Sequence, residues 1–226
     1  MFIEDVWLSK VLEFSCYKIV KPSLTISNDD LRLMDFVYVK LKTDELALIN
    51  HLMDQNFSII ETNIILKSKK IIFFENKQIK LRFASKEDEK ELKKIAEEEF
   101  HSSRFHVDEK IPNEKANYLK SEWVGSFFKG LRGDWMVVAL CGGHICGFLQ
   151  LMKDNNDIII DLIAVKKKFQ GRGIGKSMIS FAFKNCATPK TSFIVGTQLR
   201  NLKSIHFYHN IGFCINNSRY TLHYHK

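Results

Sequence analysis

Apolar positions in the first third of the chain predict a small α/β unit. Short β-branched and alternating runs indicate strands, and apolar residues spaced three or four apart indicate helices. We expect strands at 17–20, 35–41 and 57–66, a helical start at 28–33 and a helix at 44–53. Thr43-Asp44-Glu45 and Gln55-Asn56 supply suitable ends for that helix.

The pattern changes near residue 75, after a basic link at 67–70. Ser85-Lys-Glu-Asp88 resembles a capping box that opens a charged helix with one apolar face. Further strands are predicted at 79–83, 136–140, 144–152, 158–165, 192–195 and from 212–213 to 220–224, and further helices at 114–129, 176–184 and 202–209. We therefore expect two domains, residues 1–76 and 77–226.

Composition indicates a folded protein without membrane segments. The 226 residues are 45% hydrophobic and 12% aromatic, which suffices for a core. No run of eighteen apolar residues occurs, and the acidic start differs from the basic start of a signal peptide. These features predict a soluble cytoplasmic protein. The five cysteines are scattered and lack a C-x-x-C pair, so we expect buried free thiols, no disulfide framework and no metal site.

The formal net charge of +8 raises the question of nucleic-acid binding. The lysines are spread along the chain in short clusters, and no zinc-finger, RNA-recognition or helix-turn-helix signature accompanies them. We therefore predict no nucleic-acid partner. A basic site mouth also suits small molecules that carry several phosphates.

The stretch VKKKFQGRGIGKSM, residues 165–178, is dense in glycine and lysine. A nucleotide triphosphatase loop would need glycine at Gln170, and a dinucleotide fingerprint would need glycine at Lys176. The loop lies between a predicted strand and a predicted helix. There, unpaired N–H groups and the helix dipole favour an anionic pyrophosphate. A solvated glycine turn is the alternative interpretation.

Residues Gln170-Gly171-Arg172-Gly173-Ile174-Gly175 match the Q/R-x-x-G-x-G/A signature, and the chain thereby resembles the GNAT superfamily of N-acetyltransferases. The resemblance implies an α/β fold of the α+β type, with a mixed, mostly antiparallel central sheet. It also implies acetyl-CoA as co-substrate, with no metal. The implied coenzyme-binding residues are Ile163, Ala164, Val165, Gln170, Gly171, Arg172, Gly173, Ile174, Gly175, Lys176, Asn201 and Ser204. A backbone N–H near Ile163 would meet the oxyanion.

A second segment, residues 201–213, resembles the N-x-x-(A/S)-x-x-x-Y-x-x-x-G-F pattern that closes many of these enzymes. On a helix, Asn201, Ser204 and Tyr208 would share one face. The resemblance implies that Asn201 contacts the pantetheine arm and that Tyr208 protonates the departing thiolate. Tyrosine suits this role because its pKa of about 10 keeps it protonated at neutral pH. A core tyrosine with a satisfied hydroxyl is the alternative.

The pattern around Arg104, Phe105, Tyr118 and Trp123, together with Gly196-Thr197-Gln198, is similar to the TDP-fucosamine acetyltransferase group. That group acetylates the amine of a dTDP-linked 4-amino-4,6-dideoxyhexose for surface polysaccharides. Its enzymes carry a small α/β domain ahead of the catalytic one, as residues 1–76 do here. The resemblance implies a nucleotide-sugar substrate. The candidate residues that bind it are Arg104, Phe105, His106, Tyr118 and Trp123, with core packing as the favoured alternative for Tyr118 and Trp123.

A sugar ammonium must lose a proton before it attacks a thioester, and a carboxylate suits that task. Glu61, at the end of a predicted strand, is the candidate for this carboxylate. The alternative is that Glu61 is an exposed glutamate at the strand end without a catalytic role. Two other functions stay open. One is an acetyltransferase acting on a protein N-terminus, a lysine or a small amine, and the other is a non-catalytic binding module. The sequence does not reveal the sugar epimer, the amine position or the oligomeric state, with a homodimer as one alternative.

Overall fold

The computed structural model describes residues 1–226 and contains ten strands in one sheet. The strands are β1 (Phe2–Glu4), β2 (Cys16–Ile19), β3 (Phe36–Lys42), β4 (Ser58–Ser68), β5 (Ile79–Phe83), β6 (Trp135–Cys141), β7 (His144–Asp154), β8 (Asp157–Val165), β9 (Ser192–Gln198) and β10 (Cys214–His225). The helices are α1 (Val6–Leu12), α2 (Asn28–Leu31), α3 (Leu46–Asp54), α4 (Glu89–Glu99), α5 (Arg104–Val107), α6 (Asn113–Phe128), α7 (Ile174–Cys186) and α8 (Leu202–His209), with short 3₁₀ turns at 86–88 and 167–169.

The sheet order is β1-β2-β3-β10-β4-β9-β8-β7-β6-β5. Only the β2/β3 and β8/β9 pairs are parallel, and every other neighbour is antiparallel. The predicted mixed, mostly antiparallel sheet is therefore confirmed.

The two predicted domains share this sheet. Strand β4, which the predicted boundary assigns to residues 1–76, is hydrogen-bonded between β9 and β10 of the second segment. Strand β3 also pairs with β10 along its whole length. The hydrogen bonding of the sheet therefore continues from one segment to the other. The division into two domains at residue 76 stays a prediction.

The two faces of the sheet carry different helices. On β6, Met136 and Val138 belong to the core cluster that contains α4 and α6, whereas Val137 and Ala139 belong to the cluster that contains α7. This alternation follows from the pleat, which points successive side chains to opposite faces. The capping box predicted at Ser85 is present, since the Asp88 side chain accepts from the Ser85 backbone N–H at 2.8 Å.

Three short elements were not predicted: β1, α1 and α5. Each has at most seven residues, too few for a periodic apolar pattern to stand out. Helix α1 begins where the Asp5 carboxylate accepts from the Leu8 N–H at 3.0 Å, a cap that the sequence contains. All five cysteines are free, but only Cys16 and Cys146 are buried. Cys141 and Cys186 are half-buried and Cys214, at the start of β10, is exposed, so the expectation of buried thiols is wrong at these three positions. No helix combines the length and the apolar character needed to cross a bilayer.

Candidate active site

The glycine loop leads from β8 into α7 as predicted. Gly171 and Gly173 have φ values of 79° and 75°, a region that L-residues with side chains rarely occupy. The Gln170 side-chain amide donates to the Val165 carbonyl at 2.9 Å and closes the loop on its strand. The N–H groups of the first turn of α7 have no partner within the helix and are free for a ligand.

A cavity of about 460 Å³, here called the loop cavity, lies against this turn. Of the predicted coenzyme-binding residues, only Arg172 lies outside its lining; the lining contains Ile163, Ala164, Val165, Gln170, Gly171, Gly173, Ile174, Gly175, Lys176, Asn201 and Ser204. Lys203 also lines the cavity and donates to the Gln170 side-chain oxygen at 2.8 Å. The geometry and charge of this cavity fit a pyrophosphate on backbone N–H groups.

Gly173 has a second structural reason to be glycine. A Cβ at this position would lie 2.3 Å from Cε1 of Phe74, in the segment that links β4 to β5. The Phe74 N–H also donates to Ser180 Oγ of α7 at 3.0 Å, and Asn76 donates to the Arg172 carbonyl at 3.1 Å. The linking segment is therefore packed directly against the glycine loop.

Strands β8 and β9 pair only as far as Ile160 and Val195, although both continue beyond these residues. Asp161 is the extra residue of a β-bulge, because Ile160 and Leu162 oppose consecutive residues of β7. The bulge reverses the side of the sheet to which alternate residues of β8 point. Before the bulge, Ile158 and Ile160 pack on the α7 side, and after it Leu162 and Ala164 pack on the α4/α6 side. A gap therefore opens between the two strands.

This gap holds a second cavity of about 140 Å³, here called the inner cavity. Its lining contains Phe100, Ser102, Ser103, Lys120, Ile160, Asp161, Leu162, Ile163, Val195, Gly196, Thr197, Gln198, Asn201, Ser204 and Tyr208. Ile163, Asn201 and Ser204 line both cavities. A long ligand lying along α8 would therefore pass from the loop cavity into the inner cavity.

Tyr208 is 3% exposed, and its hydroxyl has no hydrogen-bond partner within the protein. Burial raises the pKa of Tyr208 above its usual value, which keeps the hydroxyl protonated. The hydroxyl of Tyr208 is therefore not satisfied within the protein, and its role as a proton donor stays a prediction. Asn201 differs from the prediction, because it precedes α8 as the N-cap and accepts from the Ser204 N–H at 3.1 Å.

A third cavity, of about 630 Å³ and here called the basic cavity, lies between the first third of the chain and α6. Its lining contains Asp5, Trp7, Leu8, Lys18, Tyr38, Lys40, Arg104, Phe105, Trp123, Ser126, Leu131, Arg132 and Arg219. Five cationic side chains thus face one carboxylate. Such a surface attracts an anion that carries more than one charge, and its aromatic rings offer stacking planes.

Arg104 is held in place by a chain of hydrogen bonds. Its guanidinium lies 4.1 Å from the centre of the Tyr38 ring and is 3.0 Å from Nε2 of His223. Because arginine only donates, His223 accepts at Nε2 and donates through Nδ1 to Asp108, at 2.6 Å. His225 also lies 2.7 Å from the same Asp108 oxygen. Burial lowers the pKa of His223 to about 3, so the ring is neutral at pH 7.

The structure separates the predicted acceptor residues. Phe105 and Trp123 line the basic cavity with Arg104, whereas His106 and Tyr118 do not. His106 is hydrogen-bonded to Ser103 and Asn117, and Tyr118 is 50% exposed. These two positions are on other sides of α5 and α6, because helical neighbours two or five residues apart face different directions.

Glu61 lies on β4 opposite Thr221 of β10 and is 7% exposed, so it is not the exposed strand-end residue of the alternative interpretation. One of its oxygens, Oε2, is buried without a hydrogen-bond partner. Glu61 does not line the loop, inner or basic cavity. Burial lowers the pKa of both Arg104 and Lys120, and the charge of Glu61 opposes this lowering at both, so Glu61 belongs to the same electrostatic cluster.

Asp161 joins the basic cavity to the inner cavity. Its carboxylate accepts from Trp123 Nε1 at 2.9 Å, from Gln150 at 3.0 Å and from Arg132 through two nitrogens at 2.8 and 2.7 Å. Asp161 is not among the residues predicted from the sequence. A lone acid inside the apolar run Ile158 to Val165 is a signal that could have identified it, because buried acids need partners.

Comparison with known proteins agrees with this geometry. The model of the acetyltransferase (GNAT) domain matches residues 132–215. The spore coat polysaccharide biosynthesis protein SpsD of Bacillus subtilis strain 168 is 24% identical over 241 residues, covering 99% of this chain and 82% of SpsD.

Solved structures show the same fold over nearly the whole chain. A conserved protein of unknown function from Staphylococcus epidermidis aligns with a TM-score of 0.69 at 14% identity, covering 97% of this chain and 88% of that one. A GCN5-related N-acetyltransferase from Kribbella flavida aligns with a TM-score of 0.65 at 10% identity, covering 98% and 86%. GNAT acetyltransferases use acetyl-CoA as their acetyl donor. Residues 132–215, which contain the glycine loop and the gap between β8 and β9, therefore match a GNAT acetyltransferase domain.

Proposed function

We propose that the protein transfers the acetyl group of acetyl-CoA to the amine of a dTDP-linked 4-amino-4,6-dideoxy sugar, for the synthesis of a bacterial surface polysaccharide. The observation that carries this proposal is the basic cavity beside the inner cavity. Its charge suits the diphosphate of a nucleotide sugar, and its aromatic rings suit a base or a sugar face. The relationship to a spore coat polysaccharide biosynthesis protein supports the same substrate class.

The two cavities are adjacent. Trp123 and Arg132 line the basic cavity and donate to Asp161, which lines the inner cavity. Arg104 of the basic cavity directly follows Ser103 of the inner cavity. An acceptor held by its phosphates in the basic cavity would therefore present its sugar to the inner cavity. There, the amine would meet a thioester placed beside Ile163 and Tyr208.

In this proposal each polar residue has one task. The backbone N–H groups at the start of α7 bind the pyrophosphate of the coenzyme, and Asn201 and Ser204 contact its pantetheine arm. An unpaired N–H near Ile163 stabilises the oxyanion, and Tyr208 protonates the thiolate. The buried charged cluster that contains Glu61 removes the proton from the acceptor ammonium.

An acceptor screen read by mass spectrometry tests the proposal. The protein is incubated with acetyl-CoA and, separately, with dTDP-linked 4-amino and 3-amino sugars, the same amino sugars without nucleotide, N-terminal and lysine peptides, and polyamines. We expect a mass gain of one acetyl group in a nucleotide-linked amino sugar and far less in the free sugar. Preferential acetylation of a peptide or polyamine would instead indicate another acceptor. Absence of both acetylation and coenzyme binding would indicate a binding module.

A further inference from the structure

Lys120 is a buried lysine that the functions above do not explain. It lies on α6, is 7% exposed, and lines the inner cavity together with Tyr208 and Asn201. Lysine side chains are rarely buried to this degree unless they are paired. Lys120 and Tyr208 lie on different elements but line the same cavity, in which the acetyl group would lie. The chemistry of the Lys120 amine is therefore relevant to the reaction.

Burial disfavours the ammonium form of its amine, whereas two aromatic rings favour that form through cation–π contacts. The nitrogen lies 4.4 Å from the centre of the Trp123 ring and 5.3 Å from that of Phe100, and it has no hydrogen-bonded carboxylate. Burial lowers the pKa of Lys120 to about 8. The charged groups that act on it come from four parts of the chain: Asp161 and Glu61 raise this pKa, whereas Arg104 and Arg132 lower it further.

The two nearby acids are less suited to contact the acceptor amine. Asp161 is engaged by Arg132, Trp123 and Gln150. Glu61 is buried and does not line the inner cavity. The Lys120 amine is therefore the one basic side chain that lines the inner cavity without a partner of its own.

We propose that Lys120 is the catalytic residue that accepts the proton from the ammonium of the acceptor, an inference that rests on the proposed function. An N–H bond of the ammonium breaks, its electron pair stays on the amine nitrogen, and the proton binds to the lone pair of Lys120. The amine attacks the thioester carbon, and the C–S bond then breaks. Tyr208 gives its proton to the thiolate and regains one from the amine nitrogen, which keeps a single hydrogen in the amide. Lys120 releases its proton to solvent, so one proton leaves per turnover.

Lys120→Arg separates a base from a mere positive charge, because arginine keeps the charge but does not give up its proton in proteins. We expect kcat to fall about 100-fold or more, within the range of general acid–base catalysis. KM for both substrates should stay within about threefold, since uniform binding is retained. Lys129→Arg, at the exposed end of the same helix, is the matched control and should leave both parameters unchanged. A Lys120→Arg enzyme with near-normal kcat would overturn the proposal.

The pH profile provides a second readout. In the wild type, kcat/KM should rise with pH through a value near 8, because only the neutral lysine accepts a proton. In Lys120→Arg this rise should move to the pKa of the free acceptor amine. In Glu61→Gln the rise should shift to lower pH, because the charge of Glu61 opposes the lowering of the Lys120 pKa by burial. A Glu61→Gln rate lost mainly at low pH would instead return the role to Glu61.

A third measurement does not depend on the acceptor. Lysine labelled with ¹³C at Cε gives one NMR signal per residue, and the signal missing from a Lys120→Met variant belongs to Lys120. We expect this signal to titrate near pH 8, as that of Lys40 does, and below the remaining lysines. Titration with the surface lysines would overturn the proposal. The kinetic comparisons use whichever amine the wild type acetylates best, so an incorrect sugar assignment and an incorrect base give different results.

Discussion

The loop cavity and the basic cavity are built in different ways. Most of the loop cavity comes from one continuous stretch, residues 163–176, with a few side chains of α8, and its candidate anion donors are backbone N–H groups. The basic cavity comes from six separated parts of the chain, between Asp5 and Arg219, and it presents charged and aromatic side chains. A site made of backbone N–H groups keeps its ligand when the surrounding side chains differ. A site made of side chains can bind a different acceptor after substitution, while the fold stays the same.

Tyr208 lines the inner cavity, which adjoins both the loop cavity and the basic cavity. Its replacement has the largest expected effect on activity. Tyr208→Phe keeps the ring and removes the hydroxyl. We expect kcat to fall about 100- to 10,000-fold, as for loss of a general acid, with the KM for acetyl-CoA little changed. Steady-state kinetics and calorimetry of coenzyme binding check this. A loss below about threefold would show that thiolate departure does not need the hydroxyl.

On the loop side, Gly173→Val should weaken coenzyme binding by about tenfold or more. The loop would move to relieve the positive φ and the clash with Phe74, and binding would have to restore its conformation at a cost of roughly 1–3 kcal/mol. Gly171→Ala is the matched control. Its φ is also positive, but no atom lies within 4 Å of the added Cβ, so its effect should be smaller. Calorimetry with coenzyme A measures both variants. Unchanged affinity in Gly173→Val would contradict the placement of the pyrophosphate.

On the acceptor side, Arg219→Gln should act on acceptor binding alone. We expect the KM for the nucleotide sugar to rise roughly threefold to tenfold, as for one partly exposed charge, with coenzyme affinity unchanged. The effect should shrink at high salt, where surface charges are screened. Arg32→Gln, at an arginine exposed to 79% and outside the cavities, is the control. Equal effects of both substitutions would argue against a phosphate-binding role for the basic cavity.

A further effect is expected on stability rather than on activity, and it comes from His223, the residue that contacts Arg104 of the basic cavity. The folded pKa of His223 is about 3, below its ordinary value, and hydrogen bonds from His223 and His225 hold the pKa of Asp108 below its usual range although burial raises it. Stability from both groups is therefore present at neutral pH. The share from His223 is lost as pH falls from about 6.5, at about 1.4 kcal/mol per pH unit.

Denaturant unfolding between pH 7 and pH 4 measures this loss. His223→Gln should reduce the slope of the free energy of unfolding against pH, whereas His209→Gln, at an exposed histidine of α8, should leave it unchanged. If the slope in His223→Gln equalled that of the wild type, other groups would account for the acid sensitivity.

The sequence predicted the loop side better than the acceptor side, for a physical reason. The strand, glycine loop and helix around residues 158–184 are adjacent in the chain, so their spacing carries the geometry. The contact of Arg104 with His223 joins residues 119 positions apart, and the bulge at Asp161 depends on its pairing with β7. No local pattern specifies such contacts. Lys120 was overlooked because a lysine in a helix is ordinarily solvated.

The pairing of β3 with β10 has a consequence for how the protein is made. These strands are separated by more than 170 residues, and β4 enters the sheet only between β9 and β10. During synthesis, β4 leaves the ribosome long before either of its partners exists, and β3 can pair only with β2, so both edges of β4 and one edge of β3 stay unpaired meanwhile. High contact order slows folding, and exposed edges promote aggregation. We therefore expect the nascent chain to depend on chaperones that cover its early strands until β10 emerges.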